Sequence, residues 1–225
     1  MKQVRIFSHN ALAIRIHNEF FQKVRNQLHG CVVDLGCGTM PYRADLVEAG
    51  CRYIGVDWPN SLHGQQPDVV SDLNTQLELP DQIADAVISF SVLEHLCKPE
   101  VMLSEACRVL RPGGLLVLQV PFQWWVHEAP HDYYRFTRHG LEFLLNKAGF
   151  VGPQIEASGG FWTMLVLKCA YHSVRWIRGP RPFRYAIRWV LMPGWVLGQL
   201  MAPLLDRFDP NPLETVGYTV IARKP

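Results

Sequence analysis

An acid followed by a glycine turn is the feature of this sequence best suited to hold a ligand. The apolar run at 31–35 predicts a short buried strand, and Gly36 and Gly38 let the backbone turn sharply and approach a ligand closely. A pyrophosphate-binding G-x-G-x-x-G turn would have its third glycine where this chain has Pro41, and the Asp34 carboxylate would repel phosphate. The turn therefore favours a ligand with a positive ammonium group and no phosphate.

Two further carboxylates follow predicted strands. Asp57 closes the strand at 52–56, where it can accept hydrogen bonds from both hydroxyls of a ribose, and Trp58 beside it can pack against an adenine. Asp72 follows the next short strand, where its carboxylate can accept an adenine amino group while Leu73 covers the ring. The simpler interpretation is that these acids only cap helices or form turns.

Three segments resemble the motifs of class I S-adenosylmethionine-dependent methyltransferases, within a match that covers roughly residues 30–150. They are Cys-Val-Val-Asp-Leu-Gly-Cys-Gly at 31–38, the fourth-strand segment at 85–96 and Leu-Arg-Pro-Gly-Gly-Leu-Leu at 110–116. The resemblance implies a methyltransferase with S-adenosylmethionine as its cofactor. It implies that Asp34, Gly36 and Gly38 face the methionine part, that Asp57 holds the ribose and Asp72 the adenine, and that Ser89 and Phe90 line the floor.

Titratable side chains crowd the loop after the predicted fifth strand. His127 and His131 are candidates for a general base because imidazole titrates near neutrality, and Asp132 is a candidate to orient one of them. Arg135 can grip a phosphate or carboxylate of the acceptor, with Tyr134 beside it. The loop resembles a bacterial methyltransferase branch that often accompanies cell-envelope glycan or lipid biosynthesis. The resemblance implies methylation of a small-molecule or lipid-linked glycan acceptor, most simply on oxygen.

A structural role is the alternative for this loop. Asp132 would then cap a turn, Tyr133 and Phe136 would anchor the packing, and Arg135 would pair with Glu128.

The Glu94-His95 pair raises the question of a metal ion. Together with His127 or His131, the pair resembles the metal site of small-RNA 2′-O-methyltransferases. That family has a second glutamate three residues before Glu94, where this chain has Ser91. We therefore expect no metal ion, and we expect His95 to anchor the loop or to line the acceptor pocket.

The elements that must position these residues alternate between helix and strand. Apolar residues at every fourth position predict an amphipathic helix at 8–28, capped by Ser8. Strands are predicted at 31–35, 52–56, 69–71, 84–90, 115–120, 153–158 and 217–222, and helices at 42–49, 100–110 and 137–148. This alternation predicts an α/β fold with a parallel sheet. The resemblance implies a Rossmann-like, doubly wound sheet of seven strands with an antiparallel last strand, in a single methyltransferase domain over 1–225.

A basic, apolar insertion separates the last two predicted strands, at about 159–215. Residues 161–205 contain no Asp or Glu, six basic residues and four tryptophans: Lys168, Arg175, Arg178, Arg181, Arg184, Arg188, Trp162, Trp176, Trp189 and Trp195. Pro193, Gly194 and Pro203 argue against a straight transmembrane helix. The pattern favours helices that lie on an anionic membrane surface, and a substrate lid or a dimer interface is the alternative.

Composition narrows the class of protein. Of the 225 residues, 48% are hydrophobic and 19% charged, and the net charge of +2 argues neither for nor against a nucleic-acid partner. We find no RNA-binding module, so we expect no nucleic acid. The six cysteines form no CxxC pair and the N-terminus has no signal-peptide core, which favours the cytoplasm. RNA methylation and a catalytically silent cofactor-binding subunit are the alternative functions.

Overall fold

The computed structural model describes residues 4–59, 66–209 and 213–225. Its strands are β1 (Cys31–Leu35), β2 (Arg52–Asp57), β3 (Val69–Val70), β4 (Ala84–Phe90), β5 (Leu110–Pro121), β6 (Val151–Ser158) and β7 (Gly217–Arg223). They form one sheet in the order β3-β2-β1-β4-β5-β7-β6. The five neighbouring strands from β3 to β5 in this order are parallel to one another, and β7 runs antiparallel. The predicted Rossmann-like seven-stranded sheet is therefore confirmed.

Helices separate these strands along the chain. They are α1 (Ala11–Val24), α2 (Arg43–Glu48), α3 (Pro99–Val109), α4 (Arg138–Lys147), α5 (Phe161–Val174) and α6 (Arg181–Phe208), with 3₁₀ turns at Arg25–Gln27 and Leu93–His95. Local sequence explains where two of these helices begin. Pro99 occupies the first turn of α3, where its missing N–H costs nothing. The Thr137 hydroxyl caps α4 by accepting a hydrogen bond from the Gly140 N–H at 3.1 Å.

The strand order creates a crevice for a ligand. From β1 the chain proceeds outward through β2 to β3, and it then returns to place β4 on the other side of β1. In open α/β sheets of this kind, ligands bind beyond the carboxyl ends of the strands, where the order reverses. The acid–glycine turn follows β1 and therefore lies at this reversal.

The chain divides into two compact units. The first comprises residues 22–156 and 218–225, and the second comprises residues up to 21 together with 157–217. The core of the first unit is formed by buried apolar residues of the sheet and of α3 and α4, among them Val33, Val87, Met102 and Leu141. Burial of each such side chain contributes about 1.5–3 kcal/mol.

The second unit joins part of the N-terminal helix to the insertion. Asp206, near the end of α6, accepts hydrogen bonds from the N–H groups of Gly160 and Trp162, at the start of α5. The Trp195 indole N–H donates to the Ser173 hydroxyl at 2.8 Å, and Trp195 is only 5% exposed. Gln199 accepts a hydrogen bond from the Leu12 N–H at 2.7 Å. The sequence did not predict that these segments form a unit of their own.

Several predicted boundaries are wrong. The helix predicted at 8–28 begins at residue 11 and ends at residue 24, and a 3₁₀ turn follows it. The Ser8 hydroxyl, predicted to cap the helix, donates to the Asn10 side chain. The Arg-Pro-Gly-Gly turn at 111–114 lies inside β5 as a bulge between the pairs Ala84–Leu110 and Ala86–Leu115.

Helix α6 continues for 28 residues through Pro193 and Pro203. Among the described residues, no helix is both long and apolar enough to span a bilayer.

Candidate functional site

The glycine turn after β1 is tied to the end of β2. The N–H groups of Gly36 and Cys37 both donate to the Val56 carbonyl, at 2.8 and 3.1 Å. Gly36 has a φ of +76°, and a Cβ at this position would overlap the methyl groups of Val92. Gly38 has a φ of +50°. At Gly36 only glycine allows both the left-handed backbone and this close approach. The sequence predicted such a sharp turn at these two glycines.

Asp34 lies beneath this turn and is 3% exposed. Its carboxylate accepts a hydrogen bond from the Tyr53 hydroxyl at 2.6 Å. Burial raises the pKa of Asp34 to about 7, although the hydrogen bond from Tyr53 acts in the opposite direction. Contact of Asp34 with a ligand ammonium stays a prediction. The sequence analysis did not predict this role of Tyr53, because the sequence does not show which group a tyrosine inside a strand will bind.

Asp57, the predicted ribose ligand, connects the turn with the end of β2. Its two carboxylate oxygens accept hydrogen bonds from the N–H groups of Gly38 and Trp58, both at 2.8 Å. Asp57 therefore orders the turn, and its contact with a ribose stays a prediction.

The predicted adenine contacts have structural roles of their own. One Asp72 carboxylate oxygen accepts hydrogen bonds from both the backbone and the side-chain nitrogen of Asn74, at 2.9 Å each. Asp72 is thus a turn former, as in the simpler interpretation, and it is also exposed. Leu73 is buried in the main core. Adenine binding by these two residues stays a prediction.

The predicted floor residues lie at the end of β4. The Ser89 hydroxyl donates to the Leu35 carbonyl at 2.7 Å, so it links β4 to β1. The Phe90 ring is half-buried and packs edge-on against Tyr42, with the ring centres 4.9 Å apart. Tyr42 extends this aromatic floor, and the sequence analysis did not identify it.

Arg135 does not have the predicted role of gripping the acceptor. Its Nε donates to the Trp124 carbonyl, at 3.3 Å. The two terminal nitrogens bind both Asp132 oxygens, at 2.6 and 2.7 Å. They also bind the carbonyls of Tyr134 and Trp125. A guanidinium has five N–H donors, and all five are accounted for by these contacts. Arg135 therefore fixes the loop, and its carboxylate partner is Asp132 rather than Glu128.

Asp132 positions His127 mainly through the backbone. It accepts a hydrogen bond from the His127 N–H at 2.9 Å, and the two side chains are 3.4 Å apart. The Arg135 guanidinium holds the pKa of Asp132 down at about 2. Burial, together with the nearby His95 ring, lowers the pKa of His127. His127 is consequently neutral near pH 7 and able to accept a proton.

His131 and His95 connect this loop to the cofactor side of the sheet. The exposed His131 ring meets Trp58 edge-on, with the ring centres 5.0 Å apart. The His131 carbonyl accepts a hydrogen bond from His95 Nδ1 at 2.6 Å, so the predicted anchoring of the loop by His95 is supported. The Tyr134 hydroxyl donates to the Cys97 carbonyl at 3.4 Å. Contact of Tyr134 with an acceptor stays a prediction.

The structure shows that Glu94 is a buried acid, which the sequence analysis did not predict. It is 0% exposed, and neither of its carboxylate oxygens has a hydrogen-bond partner among the described residues. Burial raises the pKa of Glu94 to about 8. One ligand atom each of Glu94, His95 and His127 lie within 4.8 Å of one another, an arrangement that can hold a metal ion. In the sequence, only the Glu94-His95 pair indicated such a metal site, and Ser91 in place of a second glutamate argued against it.

Comparisons with known proteins agree with this geometry. Residues 33–118 match a family model described as a methyltransferase domain. A probable S-adenosylmethionine-dependent methyltransferase of Mycolicibacterium smegmatis is 34% identical over 115 residues, which are 48% of this chain and 44% of that protein. An uncharacterized methyltransferase of Mycolicibacterium gilvum is 34% identical over 176 residues, 70% of this chain and 66% of that protein. The chain thus spans under half of the first relative's length.

Solved structures share the fold. A S-adenosylmethionine-dependent methyltransferase from Archaeoglobus fulgidus has a TM-score of 0.58 and 19% identity, covering 96% of this chain and 95% of that one. Phosphoethanolamine N-methyltransferase 2 of Haemonchus contortus, in complex with S-adenosyl-L-methionine, has a TM-score of 0.56 and 17% identity, covering 88% of this chain and 49% of that one. At these identities the likeness concerns the fold.

Proposed function

Because this chain carries a class I S-adenosylmethionine-dependent methyltransferase domain, we propose that it methylates an oxygen of a small-molecule or lipid-linked glycan acceptor. S-adenosylmethionine is the cofactor of this family. The observation that carries the proposal is the histidine-rich loop after β5. Its His131 packs against Trp58, the neighbour of the predicted ribose ligand Asp57. This contact supports a loop that borders the predicted cofactor site.

Methyl transfer makes modest chemical demands on the protein. The acceptor oxygen attacks the methyl carbon, a C–O bond forms, the C–S bond of the sulfonium breaks, and S-adenosylhomocysteine leaves. A hydroxyl acceptor must also give up its proton to a base. Alignment of the two reactants and removal of that proton are the contributions that side chains can make.

We assign the base to His127 or His131. His127 is held by Asp132 and is neutral near pH 7, because burial lowers its pKa. His131 is exposed and lies next to Trp58. Asp132 acts as a positioning residue, because its carboxylate is committed to Arg135 and the His127 backbone.

The exposed face of α6 supports contact with a membrane. Apolar side chains there recur at intervals of three or four residues, on one side of the helix. They are Trp189, Val190, Leu197, Leu200, Met201, Leu204 and Phe208, all exposed. The six basic residues of 161–205 are exposed as well. This combination of charge and apolar area fits the anionic, cytoplasmic face of a membrane. Such a location would bring the enzyme to a lipid-linked acceptor.

Mass spectrometry of lipids and glycans tests the proposed acceptor class. Extracts of a deletion strain are compared with the parent strain and with a strain complemented by the Asp57→Ala variant. We expect a lipid or glycan that lacks the mass of one methylene unit in the deletion and variant strains. Transfer of labelled methyl groups to RNA instead, or to no acceptor at all, would contradict the proposal.

A further inference from the structure

We propose that Glu94, His95 and His127 bind a divalent transition-metal ion. Their ligand atoms, one from each residue, lie within 4.8 Å of one another. A metal ion at about 2.0–2.2 Å from each ligand would hold those atoms roughly 3–3.5 Å apart, so the cluster needs to contract by only about 1–2 Å. Adjacent parallel strands bring the three residues together, since two follow β4 and the third follows β5.

The hydrogen bonds of both histidines leave Nε2 for the ion. His95 Nδ1 is 2.6 Å from the His131 carbonyl, and a carbonyl only accepts, so Nδ1 carries the proton. His127 Nδ1 is 3.2 Å from the Trp125 carbonyl and 3.4 Å from an Asp132 oxygen, which are acceptors too. A terminal nitrogen of Arg135, which only donates, is also 3.4 Å away, but its two N–H groups are bonded at shorter distances to the Trp125 carbonyl and to Asp132. Metal-binding histidines typically donate their other ring N–H to a carbonyl or a carboxylate in this way.

Glu94 supplies an independent observation. Its carboxylate is fully buried, and among the described residues neither oxygen has a hydrogen-bond partner. A buried carboxylate without a partner is costly, and a cation removes that cost. His95 Nε2 lies 3.7 Å from Oε1, and it is the nitrogen that the hydrogen bonds leave for the ion.

The donor set indicates the kind of ion. Two imidazoles and one carboxylate suit Zn²⁺, Fe²⁺, Co²⁺ or Mn²⁺ better than Mg²⁺ or Ca²⁺, which prefer oxygen. Glu128 is a further carboxylate at hand, with an oxygen 3.8 Å from His95 Nε2. An ion here could bind the acceptor oxygen and favour its ionisation. His127 would then be a ligand, and His131 would remain as the base.

The test is a titration of the 225-residue chain with Co²⁺ and Zn²⁺ after treatment with a chelator. Isothermal calorimetry should give one ion per chain. Glu94→Gln, His95→Gln and His127→Gln should each weaken binding at least about tenfold. The matched control is His139→Gln, an exposed histidine of α4, which should bind like the wild type. Circular dichroism identifies any variant that fails to fold.

Two outcomes would overturn the metal site. One is the absence of stoichiometric binding by the folded wild-type protein, or binding that the ligand variants leave unchanged. The other is a thiolate charge-transfer band in the Co²⁺ spectrum, which would place the ion at a cysteine such as the exposed Cys97. These measurements need neither cofactor nor acceptor, so they are independent of the proposed methyl transfer.

Discussion

At the scale of single residues, the predicted contact of Asp34 with the cofactor ammonium should make cofactor binding depend on pH. Burial raises the pKa of its carboxyl to about 7. A cofactor ammonium pairs with the ionised carboxylate, so its binding must displace the proton below that pH. Affinity for S-adenosylmethionine should therefore rise by up to about tenfold per pH unit below pH 7 and level off above it. Calorimetric titrations across this range measure the effect.

The Asp34→Asn variant is the control for this dependence. It retains an acceptor for the Tyr53 hydroxyl but has no carboxyl to titrate. Its affinity should be lower at pH 8 and should change less with pH. Equal pH slopes for variant and wild type would remove Asp34 from the methionine site.

Replacement of the catalytic base, His127 or His131, should reduce turnover. If the acceptor is a hydroxyl, replacing the base by Gln should reduce turnover about 10²–10⁴-fold, because that is the usual contribution of proton transfer to a positioned base. Affinity for S-adenosylmethionine should stay nearly the same. Labelled methyl transfer to a cell extract compares His127→Gln and His131→Gln with the control His139→Gln. Full activity in both loop variants would mean that the base lies elsewhere.

The positions of the site residues were easier to predict from the sequence than their hydrogen-bond partners. The sequence placed Asp57 at the end of β2 correctly, because a strand boundary determines that position. It assigned Arg135 to the acceptor, whereas loop closure brings the Trp124 and Trp125 carbonyls to the guanidinium. Such backbone partners leave no pattern in a sequence. The burial of Glu94 could not be predicted for a similar reason, since it depends on the folded loop as a whole.

At the scale of elements, the turn after β1 tolerates no side chain at Gly36. Alanine there would have an unfavourable φ of +76° and would overlap Val92. The left-handed backbone costs about 1–2 kcal/mol and overpacking about 1–3 kcal/mol, so Gly36→Ala should lower the free energy of unfolding by at least about 2 kcal/mol. Urea denaturation measures the loss.

Gly113→Ala separates the two contributions. Gly113 has nearly the same φ, +77°, but an added Cβ would meet nothing within 4 Å. Its replacement should cost only the backbone contribution. A loss in Gly36→Ala no greater than in Gly113→Ala would show that the contact with Val92 is unimportant.

Regular elements were predictable where burial alone decides them. β1 and β4 occupy the predicted residues because each is a short apolar run between polar turns. The Arg-Pro-Gly-Gly segment was taken for a turn, yet pairing on both sides keeps it within β5. In α6, Pro193 and Pro203 suggested interruptions. Long-range packing of Trp195 and Gln199 accompanies a helix that local propensity disfavours.

At the scale of the whole molecule, the insertion should bind anionic membranes. Each arginine near such a surface contributes about 1 kcal/mol, so Arg181, Arg184 and Arg188 changed together to Gln should weaken liposome binding up to about 10²-fold. High salt should weaken the wild type similarly, without abolishing binding if apolar side chains enter the interface. Trp189, at 68% exposed, can enter it, whereas Trp195 is buried.

Cosedimentation with liposomes of anionic and of neutral lipid measures this binding. The matched control changes Arg25, Arg52 and Arg138 to Gln, which removes the same charge from exposed sites in the first unit. Equal losses in both triple variants would indicate net charge rather than this surface. Wild-type protein that stays in the supernatant at low salt would contradict membrane contact and favour a protein–protein interface for α6.

Calorimetric titration of the purified chain with S-adenosylmethionine, S-adenosylhomocysteine and NAD tests the central claim most directly. The acid–glycine turn and Asp57 predict one-site binding of the first two ligands and no binding of NAD. Asp57→Ala should bind S-adenosylmethionine about tenfold or more weakly, because hydrogen bonds to a charged group contribute about 1.5–3 kcal/mol each. Tight binding of NAD with no binding of S-adenosylmethionine would contradict the account.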